Sequence, residues 1–206
     1  GGFLFMHFIY VLLIALANNI DNIGVRIAYS IRGIKISVKT NLWISVITFF
    51  ISAISAYFGS FLTKFISKGT SSKISMLLLC TIGLWIIVEP YYNMKKPQLE
   101  NEDNSLYNIL RSPEKADKDN SKYIDIKEAT VLGIALSINN IGGSLSAGII
   151  GLNSFFIGIF SAVLSFVALW AGNYITILFK KFDIGNKATV TAGLVLILIG
   201  IGQVLK

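Results

Sequence analysis

The sequence predicts an all-α integral membrane protein with six transmembrane helices, arranged as two inverted three-helix repeats. Three observations lead to this prediction. The 206 residues are 54% hydrophobic and only 14% charged, which is far from the balance of a soluble domain. The chain contains six apolar runs, each near or above the roughly 18 residues that a helix needs to cross a bilayer. A short polar motif also occurs twice, once in each half of the chain.

Each apolar run is predicted to form one spanning helix. In chain order the runs are Met6–Ser30, Thr40–Ile66, Ile74–Tyr91, Ala129–Leu152, Ser154–Phe179 and Ala188–Leu205. Three of them end in cationic or interfacial residues, as spanning helices commonly do. These boundaries divide the chain into a first repeat over residues 1–91, a polar loop over 92–128 and a second repeat over 129–206.

The distribution of positive charge predicts the orientation of the helices. The loops after the first, third and fifth runs hold thirteen Lys and Arg residues, whereas the opposite side holds four. The positive-inside rule therefore places the richer set, including the polar loop, in the cytoplasm and both termini outside. The net charge of +7 is explained by this topology, so no nucleic-acid partner is expected.

The repeated motif places amides, and in one copy a carboxylate, inside apolar helices. The two copies lie 118 residues apart, so that Asp21 matches Asn139 and Gly24 matches Gly142. Polar groups in hydrocarbon are costly and often functional, and inverted repeats commonly hold a substrate near the midplane. The predicted substrate-binding residues are Asn18, Asp21, Asn22, Asn139 and Asn140. The alternative is that these amides only join helices through hydrogen bonds.

The last twelve residues of the polar loop, Asp117–Glu128, follow the ligand order of an EF-hand calcium loop. The predicted metal ligands are the side chains of Asp117, Asp119, Ser121, Asp125 and Glu128 and the backbone carbonyl of Tyr123. The sixth position favours glycine because the backbone turns sharply there, and it is Lys122 in this chain. A weak Ca²⁺ or Mn²⁺ site and a loop that binds no ion are therefore both open.

Together these features resemble the manganese-efflux pump (MntP-like) family, and more closely its sporulation membrane protein branch, called YtaF. The resemblance rests on four segments: Asn19–Gly24, Ile31–Ile36, Pro113–Asp119 and Ala135–Asn140. It covers essentially the whole chain. It implies a bacterial cytoplasmic (inner) membrane, a spore-forming host and an inverted-repeat bundle, and by kinship it implies metal efflux.

The resemblance also shows two departures at the expected site. Asp21 matches the carboxylate of the first span and is the expected metal ligand there, but the neutral Asn139 stands in place of the second carboxylate. Because Mn²⁺ prefers oxygen ligands that include carboxylates, this change weakens the manganese assignment. Arg26 replaces a small residue. We expect it to snorkel to the cytoplasmic interface, or else to pair with Asp21 or Glu89.

The leading functional hypothesis is a secondary transporter that exports a divalent metal cation, with Mn²⁺ expected. No nucleotide-binding motif is present to couple ATP, and no catalytic or zinc-like constellation accompanies His7, the sole histidine, so an enzyme is not expected. Two alternatives remain: an exporter of a small polar organic solute, and a non-transporting sporulation membrane factor. The expected partners are the lipid bilayer and a divalent cation, with a homodimer left open.

Overall fold

The computed structural model describes residues 2–93, 116–181 and 184–202; some side chains within these ranges, including those of Asp21 and Glu89, also lie outside the described residues. The described ranges form seven helices. They are α1 (Gly2–Asn18), α2 (Ile20–Arg32), α3 (Val38–Leu62), α4 (Lys68–Asn93), α5 (Ile126–Ile149), α6 (Ser154–Lys181) and α7 (Ile184–Gly202). The predicted all-α class is confirmed for this part of the chain, where β-pairing is limited to one parallel bridge between Lys35 and Tyr123.

Three helical segments of the described chain are long and apolar enough to cross a membrane: Val38–Leu62, Ile126–Ile149 and Ser154–Ala171. They coincide with the predicted second, fourth and fifth spans. Their outer faces expose large apolar side chains, including Phe50, Ile54 and Val163, which are each more than half exposed. Such faces are solvated by lipid, so the chain is a multi-pass membrane protein. The inverted six-span arrangement stays a prediction.

The first predicted span is interrupted at Asn19, and the prediction of one continuous helix over Met6–Ser30 is therefore wrong. Asn19 has φ −114° and ψ 9°. Its N–H donates to the carbonyl of Leu16 at 3.2 Å, and its own carbonyl accepts from the N–H of Asn22 at 3.3 Å. The Asn19 amide group also donates to the carbonyl of Ala15 at 2.8 Å. This side chain thus competes with the backbone for a helical acceptor.

The closest helix crossing joins α3 to α5. A Cβ on Gly59 would overlap the backbone carbonyl of Leu145, and a Cβ on Gly148 would overlap that of Ala56. Glycine at these positions allows the two backbones to touch, which is how small residues pack helices in membranes. Around this pair, α3 also packs on α6, α2 packs on α6, and α4 packs on α7.

The buried side chains form two apolar clusters with a polar layer between them. One cluster includes Val25, Ile44, Leu136 and Leu169, and the other includes Ile14, Ala56, Ala147 and Ile157. Along each of α3, α5 and α6, and along α1 continued by α2, the buried residues change from one cluster to polar side chains and then to the other cluster. The bundle therefore has a polar layer at mid-height.

Candidate functional site

The polar layer, which we call the polar belt, consists of buried amide and hydroxyl side chains. Its members are Asn18, Asn19, Asn22, Thr48, Ser52, Ser137, Asn140, Ser144, Ser161 and Ser165. They come from the junction of α1 and α2 and from α3, α5 and α6. Each is at most 3% exposed, so their polar atoms depend on one another, or on a ligand, for hydrogen bonds.

Asn140 connects α5 to the interrupted first helix. Its backbone carbonyl accepts from Asn18 Nδ2 at 3.4 Å. Its side-chain Nδ2 lies 3.5 Å from both Asn19 Oδ1 and Ser52 Oγ, so these are long contacts with α3 and the helix junction. Asn140 is therefore the point at which three elements meet.

A second group of contacts connects the belt to α6. Asn22 Nδ2 donates to Ser165 Oγ at 3.0 Å and to Asn19 Oδ1 at 3.2 Å. Thr48 Oγ1 lies 3.1 Å from Ser137 Oγ and 3.5 Å from Ser165 Oγ. The belt is thus a network that crosses the bundle, and removal of one member would affect partners on other helices.

Several buried oxygens of the belt have no hydrogen-bond donor among the residues that the structure describes. They are Oδ1 of Asn18, Oδ1 of Asn140 and the hydroxyls of Ser144 and Ser161. Gly143 leaves the space that the Asn18 amide occupies, since a Cβ there would overlap Asn18 Oδ1. An unsatisfied buried polar group costs about 1–3 kcal/mol. Neutral oxygens in this state are suitable ligands for a hard cation.

The structure brings together three of the predicted substrate-binding residues: Asn18, Asn22 and Asn140. Asn22 and Asn140 are 118 residues apart, so this pair obeys the sequence repeat. Asn139 is exposed on α5, because adjacent residues of a helix point about 100° apart and Asn140 faces inward. Asp21 belongs to α2, but its side chain lies outside the described residues, as does that of Glu89.

Sequence reasoning missed the belt residues of α3 and α6, chiefly Thr48, Ser52 and Ser165. A signal was present, because Thr48 and Ser52 are four residues apart within an apolar run, as are Ser161 and Ser165. That spacing places each pair on one helix face. Single hydroxyl residues are common in spanning helices, and these two pairs differ from them only because the members of each pair share one helix face.

Arg26 lies inside the bundle and not at the interface. It is 4% exposed, and the expectation that it snorkels is therefore wrong. It is four residues from Asn22, which places the two side chains on one face of α2. Its Nε and Nη1 atoms have no hydrogen-bond partner in the described ranges, which leave out the side chains of the expected partners Asp21 and Glu89. Ionisable residues within membrane-spanning segments almost always face the bundle interior, and they commonly mark a functional site.

The Asp117–Glu128 loop adopts the turn that its ligand pattern requires. Lys122 has φ 62°, the left-handed conformation for which glycine was expected at the sixth position. Side-chain oxygens of Asp117, Asp119 and Glu128 lie within 4.8 Å of one another. Asp117 and Glu128 are each only 8% exposed. Three of the predicted metal ligands therefore converge.

Backbone N–H groups hold these carboxylates in position. Asp117 accepts from the N–H groups of Ser121 and Lys122 at 3.1 and 3.0 Å, and Glu128 accepts from that of Lys118 at 2.8 Å. Hydrogen bonds from the Ser121 hydroxyl and backbone lower the pKa of Asp119. The backbone N–H groups thus fix the orientation of Asp117 and Glu128 in the loop.

The other predicted ligands of the loop make contacts within it. Asp125 Oδ1 accepts from the N–H of Glu128 at 2.8 Å, and Glu128 Oε2 accepts from that of Asp125 at 3.1 Å, which forms a capping box on α5. The hydroxyl of Ser121 donates to the carbonyl of Tyr123 at 2.9 Å. The loop geometry is therefore largely set by hydrogen bonds, and metal binding stays a prediction.

The loop is also joined to the corner between α2 and α3. Lys35 N–H donates to the carbonyl of Lys122 at 2.8 Å, and Ile124 N–H donates to the carbonyl of Lys35 at 3.1 Å. Thr40 Oγ1 donates to the carbonyl of Ile124 at 3.3 Å. Because Asp125 and Glu128 begin α5, the loop connects the two halves of the chain at one end of the bundle.

Comparisons with known proteins show the family to which the chain belongs. The model of the family described as "Putative manganese efflux pump" matches residues 57–204. A protein of Bacillus subtilis (strain 168) named "Probable sporulation protein YtaF" is 33% identical over 211 residues, which cover 95% of this chain and 99% of the relative. No solved structure matches the chain significantly. Since the family match covers more than half of the chain and the relative spans nearly all of it, the chain belongs to the manganese efflux pump family.

Proposed function

We propose that the chain is a secondary transporter that exports a divalent cation, Mn²⁺ in the first place, through a site in the polar belt. The observation that carries the proposal is the set of buried, donor-free oxygens on Asn18, Asn140, Ser144 and Ser161. They lie between two apolar clusters, where a purely structural polar layer would be expected to satisfy its own hydrogen bonds. Asp21 would supply the negative charge of the site.

The interruption of the first helix supports the same proposal. Half-helices that meet inside a bundle present carbonyl groups to a bound cation, and transporters use such breaks at their binding sites. α1 ends at Asn18, and the last carbonyls of a helix have no intrahelical donors. The remaining carbonyls at the end of α1 lie in the same part of the belt as Asn18 and Asn140, where they would add oxygen ligands for a cation.

The proposed architecture has six spans in two inverted repeats, residues 1–91 and 129–206, with the substrate site between the first and fourth spans. We place the protein in the bacterial cytoplasmic membrane with both termini outside and the polar loop in the cytoplasm. The buried pair Asn22 and Asn140, which the repeat relates, supports the symmetry. Transport would then alternate as the two repeats rock about the belt.

The test is Mn²⁺ transport by the purified protein in liposomes, measured with an enclosed Mn²⁺-sensitive dye. Asn140→Ala removes a donor-free oxygen, and we expect transport at low Mn²⁺ to fall about tenfold or more, since one interaction of about 1.4 kcal/mol corresponds to a factor of ten. Asn139→Ala is the matched control, because the neighbouring amide is exposed and outside the belt. Equal rates for the wild type and both variants would contradict the belt site, and loss with Asn139→Ala alone would move the site to the face first predicted.

We also propose that the Asp117–Glu128 loop binds a hard divalent cation, Ca²⁺ or Mn²⁺, which is one of the two alternatives that its sequence leaves open. The convergence of Asp117, Asp119 and Glu128 and the left-handed Lys122 support this proposal. Because the loop begins α5, a bound ion would act on the helix that carries Asn140. Titration of Ca²⁺ against the intrinsic tryptophan fluorescence tests the loop, with Asp119→Asn as the variant. No response of the wild type up to millimolar ion would contradict the proposal.

An exporter of a small polar organic solute is the second candidate, and buried Arg26 is the observation that favours it. Arg26 would hold a carboxylate of the solute. Thermal-shift screening of metals against amino acids separates the two candidates, because only a bound ligand raises the melting temperature.

The third candidate is a non-transporting sporulation factor, which the name of the relative suggests. If this candidate is right, deletion of the polar loop should give a phenotype and Asp21→Asn should give none.

A further inference from the structure

Arg26 is a buried positive charge one helical turn from the polar belt. Four residues separate it from Asn22, which corresponds to about 6 Å along the helix axis and to the same face of α2. Asn22 is 1% exposed and Arg26 is 4% exposed, so both side chains point into the bundle. The charge therefore lies next to the belt, one turn beyond Asn22 on the side toward Gly33, the C-cap of α2.

Part of the Arg26 guanidinium lacks the hydrogen bonds that usually compensate a buried charge. Within the part of the chain that the structure describes, its Nε and Nη1 atoms are buried and have no hydrogen-bond partner. Buried guanidinium groups are normally joined to a carboxylate through such atoms, because the removal of an unpaired charge from water is costly. With these two nitrogens unbonded and little water around them, the field of the charge is weakly screened.

We propose that Arg26 is a specificity-determining residue, whose fixed positive charge weakens cation binding at the belt in proportion to the charge of the cation. This inference rests on the proposed function, since it requires that a cation binds at the belt. The consequence is a site that disfavours highly charged ions and releases the cations that it accepts, which a transporter requires of its substrate site.

The expected size of the effect follows from Coulomb's law. Taking a separation of about 8 Å, slightly more than one helical turn, and an effective dielectric constant of about 20, removal of the charge would strengthen the binding of a monovalent cation about 30-fold and that of a divalent cation about 10³-fold. Both factors depend on the dielectric constant, but their relation does not. The factor for a divalent cation is the square of the factor for a monovalent cation.

The experiment compares Arg26→Gln with the wild type, both full-length in nanodiscs and both carrying Asp119→Asn, so that the loop contributes less binding. Mn²⁺ binding is measured from the loss of the free-ion electron paramagnetic resonance signal, and Na⁺ binding is measured by competition. We expect both cations to bind more tightly, with the change for Mn²⁺ near the square of that for Na⁺. Arg26→Met provides a second neutral variant and should give the same two factors.

Two controls separate charge from packing. Arg26→Lys keeps the charge and should leave the Mn²⁺ affinity within a few-fold of the wild type. Lys73→Gln makes the same charge change at an exposed position of α4 and should have no effect. Unchanged or weaker Mn²⁺ binding in both neutral variants would overturn the proposal, as would equal factors for the two cations.

Failure of the proposed function would look different. In that case Asn140→Ala would not change Mn²⁺ binding, whether position 26 is Arg or a neutral residue.

Discussion

Gly143→Ala should damage the belt by displacing Asn18. A Cβ at position 143 would lie 2.7 Å from Asn18 Nδ2 and 2.8 Å from Asn18 Cγ, and it would overlap Oδ1. Asn18 would have to leave its place and give up its bond to the carbonyl of Asn140. Overpacking costs typically about 1–3 kcal/mol, and the lost interhelical bond adds about 0.6 kcal/mol. Alanine also favours the helix over glycine by up to about 1 kcal/mol.

Gly24→Ala is the matched control, because it makes the same substitution inside a helix with nothing within 4 Å of the new Cβ. The helix-propensity gain is common to both variants, so their difference isolates the displacement of Asn18. That difference should be about 2–4 kcal/mol, or roughly 5–15 °C in melting temperature at the usual scaling for chains of this size.

The assay uses Cys80, the sole cysteine of the chain, whose partly buried thiol becomes accessible to a maleimide dye on unfolding. Gly143→Ala should melt well below Gly24→Ala and bind Mn²⁺ about tenfold more weakly or worse, since an affinity change of that size needs only about 1.4 kcal/mol. Equal melting temperatures and equal affinities for the two variants would refute the claim that the Asn18 side chain occupies the space that a Cβ at position 143 would fill.

Three further predictions concern packing, the loop and the belt. Gly148→Ala should lower the free energy of unfolding by about 1–3 kcal/mol in chemical denaturation, because the new Cβ would meet a backbone carbonyl of α3; a stabilised variant would contradict the close crossing. Ser121→Ala should raise the pKa of Asp119 toward its usual value, as followed by carboxyl ¹³C shifts. Because the pKa of Asp119 is lowered in the folded loop, its stabilising effect is complete above the unfolded value near 3.9 and is lost as the pH falls through the folded value. An unchanged titration of the variant would exclude the Ser121 hydroxyl as the cause. Thr48→Val should cost about 0.5–1.5 kcal/mol, since it removes a hydroxyl that contacts α5 and Ser165 on α6; a melting temperature equal to that of the wild type would show that these contacts contribute nothing.

Parts of the site could be predicted because membrane depth and helical spacing act on the sequence directly. Asn18, Asn22 and Asn140 are recognisable as amides near the centres of apolar runs, and the 118-residue repeat connects two of them. The choice between Asn139 and Asn140 could not be predicted in this way. Adjacent residues differ by about 100° around a helix, so only the neighbours of α5 decide which amide faces inward.

Arg26 shows the same limit for a charged side chain. A long cationic residue a few turns from a helix end can reach the interface or remain inside, and the sequence permits both. The packing of α2 against α6 decided that it is buried.

The sequence by itself determined the membrane class, the α-helical composition and the positions of the polar motifs, because apolar length and the cost of polar groups in hydrocarbon are local properties of the chain. It also indicated the ligand order of the Asp117–Glu128 loop. Only the tertiary structure decided that the first span breaks at Asn19, that hydroxyls of α3 and α6 complete the belt, and that Lys35 joins the loop to the corner of α2 and α3. The last two features depend on contacts between segments distant in sequence, and no local pattern specifies which helix faces will meet. The break at Asn19 is made by local bonds, but an amide at that position is also compatible with an unbroken helix, so the sequence alone did not decide it.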